Sequence, residues 1–224
     1  MSSFLPGSVG ILGGSFNPVH NGHLRMAIEA REALGLARVD LLPAKVPPHK
    51  SGRGLLDFAL RLDLLRQAVE GTLGLGVCAL EGELPGPSYS YVTLGRLREL
   101  FPETNHVFVL GSTDFLTLAD WHRGLELPLL TDIAVVDRLG LGPLTVDRFL
   151  DTHWRWEEEG PGMRRILGGC RMAYVPMARL DISASMIREK FCADKDVSGL
   201  VPEAVRKRMR GEPDLFRDCW NISS

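Results

Sequence analysis

The residues best suited to chemistry stand early in the chain, in Gly13-Gly14-Ser15-Phe16-Asn17-Pro18-Val19-His20-Asn21-Gly22-His23-Leu24. Two consecutive glycines let backbone approach a ligand closely. A helix opening just after them would present unpaired N–H groups and a positive dipole end to an anion. His20 and His23 fall three residues apart at that terminus, where imidazole N–H groups can donate to phosphate oxygens and stabilise charge as it builds in phosphoryl or nucleotidyl transfer. The glycines match neither GxxxxGK[ST] nor GxGxxG, so this is a different phosphate cradle. A second group lies far along the chain in Ile182-Ser183-Ala184-Ser185-Met186-Ile187-Arg188. Hydroxyls at a helix start can cap it and donate to phosphate, and Arg188 one turn later offers a fixed charged fork. Each feature alone is most often structural; the conjunction points to a site.

The elements that must position these residues read as strands alternating with helices, the pattern of a parallel sheet covered on both faces. Apolar runs predict strands over Val9 to Gly13, Val39 to Pro43, Gly76 to Leu80, His106 to Leu110, Ile133 to Asp137 and Met172 to Pro176. The first helix is expected from near Gly22, with Asn21 as a cap, Leu24, Ala27 and Ile28 on one face, and Gly35 as its stop. A second, roughly Asp57 to Glu70, places Phe58, Leu62, Leu65 and Val69 in one stripe read as core. Further helices are expected over Val92 to Leu100, Ser185 to Phe191 and Pro202 to Arg210. Residues 139–169 hold His153, Trp154, Trp156 and the run Glu157 to Glu159 between Gly and Pro. They read as an insertion: an extra helix with flexible flanks, an oligomer contact or a surface excursion. The whole chain reads as one α/β domain, with residues 211–224 as a C-terminal tail.

Composition bounds the partners. In 224 residues, 45% are hydrophobic and 24% charged, and 26 Lys and Arg against 28 Asp and Glu give a formal net charge of −2. That balance argues against a broad electrostatic grip on nucleic acid and for a small ligand. Cys78, Cys170, Cys192 and Cys219 form no CxxC pair and read as reduced packing residues of a cytoplasmic protein. The N-terminus lacks a secretory pattern, and no apolar run is long enough for a membrane span.

The first segment resembles the HxGH nucleotidyltransferases, whose GG[ST]F-x-P-x-H-x-GH signature closes a strand and opens a helix; Ile182 to Arg188 matches their ISxxxIR signature. Pro47-Pro48-His49-Lys50, Gly86-Pro87-Ser88-Tyr89-Ser90, and Gly111 with Trp121 narrow the resemblance to bacterial nicotinate-nucleotide adenylyltransferases over nearly the whole chain. The resemblance implies a Rossmann-like doubly wound sheet with ligands at the carboxyl ends of the strands. It also implies transfer of the ATP adenylyl group to nicotinate mononucleotide, giving deamido-NAD and pyrophosphate. Gly13, Gly14, Ser15, Phe16, His20, His23, Gly111, Ser183, Ser185 and Arg188 would bind ATP, with His20, His23 and Arg188 catalytic. His49, Lys50, Ser88, Tyr89, Ser90 and Trp121 would hold the mononucleotide, Trp121 stacking on the pyridine. Mg²⁺ would arrive with the triphosphate, held by phosphate and water more than by protein. A homo-oligomer is compatible with the resemblance.

The chain departs from that family at three positions. The acidic residue expected two places after Gly111 is Thr113, followed by Asp114, and an Arg and an Asp of the family pattern are Leu84 and Val92. These keep nicotinamide mononucleotide open as the acceptor, beside phosphopantetheine. From a different class, a nucleotide-binding regulator without turnover would not need His20, His23, Ser183 and Arg188 together. A polymer-binding scaffold would want a basic stripe or aromatic platform, and neither stands out.

Overall fold

The computed structural model describes residues 4–48 and 53–220. The chain begins with β1 (Val9–Gly14), α1 (Asn21–Leu34), β2 (Arg38–Pro43), α2 (Phe58–Val69), β3 (Leu75–Val77) and α3 (Ser90–Leu100). It continues through β4 (His106–Gly111), α4 (Ser112–Phe115), β5 (Asp132–Asp137), α5 (Pro143–His153), β6 (Trp156–Gly160) and β7 (Met163–Ile166). It closes with β8 (Arg171–Pro176), α6 (Ala184–Cys192), α7 (Glu203–Gly211) and α8 (Pro213–Trp220). The sheet order is β3-β2-β1-β4-β5-β8-β7-β6, parallel through β8 and antiparallel at β7 and β6.

Strand alternation sorts the apolar side chains into two cores. Leu12, Val39, Leu41, Val107, Val109, Ala134 and Val136 pack under α1, α2, α6 and α7, while Ile11, Leu42, Phe108, Leu110, Ile133 and Val135 face the layer containing α3 and α5. Both faces are covered, which is why these strands read as continuous apolar runs. β1 has β2 on one side and β4 on the other, so the connections leaving β1 and β4 diverge to opposite faces and open a crevice at their carboxyl ends. The Rossmann-like doubly wound arrangement is therefore as expected. Among the described residues, no helix is long and apolar enough to cross a membrane.

Local departures have physical reasons. His20, in extended conformation, is the N-cap of α1, while Asn21 ties the helix start to a distant loop: its N–H donates to the Leu200 carbonyl at 2.9 Å and its Nδ2 to that of Gly199 at 2.8 Å. The buried face of α1 is Met26, Ala27, Ala30 and Leu34, with Leu24 only partly buried; Gly35 ends the helix in left-handed conformation. On α2 the buried stripe is Arg61, Leu64, Leu65 and Ala68, rotated from the expected one because an arginine lies inside. β3 is shorter than expected, and a 3-10 turn over Leu80–Gly82 follows it. Residues 139–169 form α5 and a hairpin of β6 and β7 that extends the sheet at β8. Residues 213–220, within the expected tail, form α8, whose Phe216 is fully buried against Phe191 of α6 and beside Trp220.

Candidate active site

A cleft of about 400 Å³ opens at the carboxyl ends of β1, β2, β4 and β5. Its floor is the turn from β1 into α1, with Gly13, Gly14, Ser15, His20, Gly22 and His23 on its surface. The sequence builds this turn by close approach. A side chain at Gly14 would meet the Phe16 ring at 3.0 Å, and one at Gly22 would meet His20 Nδ1 at 3.0 Å. Phe16 itself is buried and edge-on to His23 at 4.9 Å, so it supports the turn from beneath without lining the cleft.

The two histidines act as a unit. Their rings stack at 3.6 Å with 22° between planes, and the His20 backbone N–H donates to His23 Nδ1 at 3.2 Å. That bond makes Nδ1 of His23 the acceptor, which leaves the proton of the neutral ring on Nε2. Burial holds the His20 imidazole down at about 3, and the Arg138 charge pushes the same way. His20 is therefore a neutral ring at physiological pH. Its Nδ1 is buried and makes no hydrogen bond among the described groups. Such atoms are rare in native proteins and mark a place where a partner belongs.

Arg188 and Ser185 do not line the cleft. Arg188 Nη1 donates to the Asn17 carbonyl at 2.8 Å and Nη2 to Ser185 Oγ at 3.0 Å, so the arginine braces the turn from behind. Asn17 is a buried hub: its Nδ2 donates to the Gly54 carbonyl at 2.6 Å, and its Oδ1 accepts from Leu56 N–H at 3.1 Å and Trp220 Nε1 at 3.3 Å. Ser183 does line the cleft and caps α6, its Oγ accepting from Met186 N–H at 3.2 Å.

The far end of the cleft is the wall of Ser88, Tyr89, Ser90, Trp121 and His122. Tyr89 is the N-cap of α3, and Ser90, the first residue of that helix, stands on the cleft surface; the Val92 N–H is taken by the Tyr89 carbonyl at 2.9 Å. No acidic side chain occupies that first turn. The Tyr89 and His122 rings lie 4.2 Å apart, and Arg123 sits over Tyr91 at 3.8 Å, fastening the loop after α4 to the start of α3. Gly111 lines the cleft with Asp114, whose Oδ2 reaches back to 3.4 Å from where a Gly111 side chain would begin. Thr113 does not line it, and neither do Leu84 and Val92. His49 and Lys50 lie outside the described residues, although the preceding Pro47 and Pro48 reach the cleft.

Sequence reasoning missed Arg138, Glu81, Thr93 and His122, which also line the cleft. Arg138 donates to the Ile182 carbonyl at 3.1 Å, linking the end of β5 to the segment before α6. Just before it, Asp137 is buried as a carboxylate. Burial alone would raise its pKa, but hydrogen bonds from the Gly142 N–H, the Tyr174 hydroxyl, the Leu141 N–H and Ser112 hold it down at about 2. Arg138 directly follows a strand end, whereas Glu81 in a 3-10 turn, Thr93 in α3 and His122 in a loop carry no motif that marks them.

The cytidylyltransferase-like family model matches residues 11–190, which span the turn at His20, Ser183 and the brace of Ser185 and Arg188. The chain belongs to this family. It is 35% identical over 217 residues to the "Probable nicotinate-nucleotide adenylyltransferase" of Pelobacter propionicus, covering 94% of this chain and 99% of that one. It is 39% identical over 207 residues to the protein of the same description from Chromohalobacter salexigens, covering 90% and 93%. Among solved structures, the nicotinic acid mononucleotide adenylyltransferase of Plasmodium falciparum complexed with NaAD superposes with a TM-score of 0.74 at 16% identity, covering 96% of this chain and 99% of that one. The matched residues 11–190 include most of β1 and all of β4, whose carboxyl ends open into the cleft.

Proposed function

We propose that the protein transfers the adenylyl group of ATP to nicotinate mononucleotide, releasing pyrophosphate and forming deamido-NAD for NAD biosynthesis. The observation that carries this reading is one continuous cleft with two chemically different ends: an anion-seeking turn at His20 and His23, and an aromatic wall of Tyr89 and Trp121 beside Ser90 at the N-terminus of α3. The relatives bearing nicotinate-nucleotide adenylyltransferase names support it. Leu84 and Val92 do not line the cleft, which supports keeping the pyridine assignment despite those departures.

The mononucleotide's phosphate is already ionised at neutral pH and needs no general base to attack the α-phosphorus in line. Catalysis then rests on positioning and on donors aimed at developing charge. The turn after Gly14, His20 and His23 Nε2–H meet the ATP phosphates, with Arg138 and Ser183 beside them. Arg188 acts by holding Asn17, and Ser185 by holding Arg188. Asp114 takes the ribose contact that Thr113 does not reach. At the other end Trp121 stacks on the pyridine, and the N–H groups after Tyr89 receive its carboxylate. Mg²⁺ would arrive on the triphosphate, held by phosphate and water more than by protein. A cytoplasmic setting, where ATP is available, suits this reaction.

The test is pyrophosphate release from ATP and Mg²⁺ with nicotinate and nicotinamide mononucleotides in parallel. Preference for the acid is expected; equal use would remove the carboxylate assignment, and no release with either would overturn the reading.

A further inference from the structure

Arg61 of α2 is 1% exposed and has no carboxylate partner within ion-pair distance among the described residues. Burial pulls its pKa down, while the more distant charges of Asp57 and Glu81 push it up. An enclosed guanidinium is expensive unless its donors are satisfied. Among the described residues they are satisfied by carbonyls: Leu56 at 2.8 Å, Ser15 at 2.8 Å, Ala44 at 2.7 Å and Lys45 at 3.3 Å. One side chain thus binds the phosphate turn to both ends of the loop joining β2 to α2.

The connection continues beyond Arg61. The Lys45 peptide, whose carbonyl faces the guanidinium, donates its N–H to Glu81 Oε2 at 3.1 Å. Glu81 is 4% exposed, and its Oε1 accepts from the Thr93 hydroxyl at 2.9 Å, with the Tyr89 carbonyl 3.2 Å from the same hydroxyl oxygen. Beside this path Val46 and Ser88 join reciprocally: Ser88 N–H donates to the Val46 carbonyl and Val46 N–H to Ser88 Oγ, each at 2.9 Å. A polar path therefore runs from Ser15 to Tyr89, starting at Arg61 behind the cleft and continuing through Glu81 and Thr93 in its wall, with a buried cation and a buried anion on either side of one peptide.

We propose that Arg61, Glu81 and Thr93 are positioning residues that fix the distance between the two ends of the cleft, and hence between the attacking phosphate and the α-phosphorus. A packing role alone would be met by apolar side chains of similar volume. The charged path instead ties together the backbone of two loops that line the cleft. The inference rests on the two-substrate reading above and adds a device that sets their separation.

Thr93→Val keeps shape and removes the hydroxyl, and Thr93→Ser restores it; Arg61→Lys keeps charge and loses the planar fork. Steady-state constants for both substrates, calorimetric titration with nicotinate mononucleotide, and melting temperatures separate the roles. Thr93→Val is expected to raise the KM for the mononucleotide and weaken its binding by about fivefold or more, with the KM for ATP within about twofold, and Thr93→Ser to recover most of the loss. Arg61→Lys, which touches the Ser15 end too, is expected to raise both KM values. Variants that melt lower yet keep both KM values and the calorimetric affinity, or that shift both substrates equally at Thr93, would overturn the bridge. Absence of pyrophosphate release from the wild-type protein would instead overturn the reaction, and the titration of Thr93→Val would still judge the bridge.

Discussion

The His20 backbone N–H points at His23 Nδ1 from 3.2 Å while the two rings stack at 3.6 Å. The second histidine is thereby oriented by the first, its Nδ1 accepting and its Nε2 carrying the proton as the ring's donor. His23→Ala removes that donor and is expected to cut kcat by about 10²- to 10³-fold with the fold intact, the scale of losing one aimed donor at a developing charge. Circular dichroism beside turnover decides it: unchanged kcat in a folded variant would remove His23 from the mechanism.

Acid should expose the buried partner. Folded His20 holds its pKa at about 3 against an ordinary 6.5, so between those values the unfolded chain binds a proton that the native fold refuses. Its stability contribution is whole above about pH 6.5 and declines as pH falls toward 3, by at most about 1.4 kcal/mol per pH unit. Asp137, held at about 2 against 3.8, adds its own loss only below about pH 3.8. Urea unfolding of wild type and His20→Asn at stepped pH should show the two curves converging between pH 6.5 and 4; parallel curves would contradict a neutral, buried His20.

Arg188 reaches the Asn17 carbonyl and Ser185 Oγ with two different nitrogens, a geometry an ammonium cannot copy. Arg188→Lys is expected to lower kcat/KM by about tenfold or more, equivalent to ~1.4 kcal/mol of transition-state stabilisation. Full activity in the lysine variant would mean that charge, and not the fork, is what matters.

At the opposite end, Trp121→Ala takes away the flat face while leaving the phosphate turn untouched. The expected signature is a rise in the KM for the mononucleotide of about tenfold, with ATP affected much less. An equal rise for both substrates would place the indole in the scaffold instead.

The last helix has a stability test of its own. Phe216 is fully enclosed by Phe191, Trp220 and the core beneath α6. Phe216→Ala should cost about 3–5 kcal/mol in chemical denaturation. A loss within ~0.5 kcal/mol, the scale of an exposed substitution, would mean that α8 is a loosely attached tail.

Hydrophobic runs located β1, β2, β4, β5 and β8 to within a residue or two because strands buried on both faces announce themselves by composition. The same logic failed at β6, whose Trp156–Gly160 sequence lies exposed at the edge and reads as a charged loop. On α2, periodicity selected Phe58 and Val69 and passed over Arg61, since no pattern of apolar residues assigns a guanidinium to the interior. The turn at His20 was legible because its glycines, proline and histidines are unusual together. Glu81, Thr93 and Arg138 were not, because a carboxylate, a hydroxyl and a guanidinium on ordinary elements acquire meaning only through neighbours remote in sequence.

Asn17 is translated long before the two side chains that steady it, Arg188 and Trp220. Synthesis and assembly therefore run in opposite senses: the phosphate turn emerges first and is finished last. A ribosome-bound chain that has reached only β8 can lay down most of the parallel sheet, yet its nucleotide turn still lacks both supports. Under the proposed function, the turn would gain its full support for ATP only once Arg188 and Trp220 have emerged, which would separate the folding of the scaffold from the onset of activity.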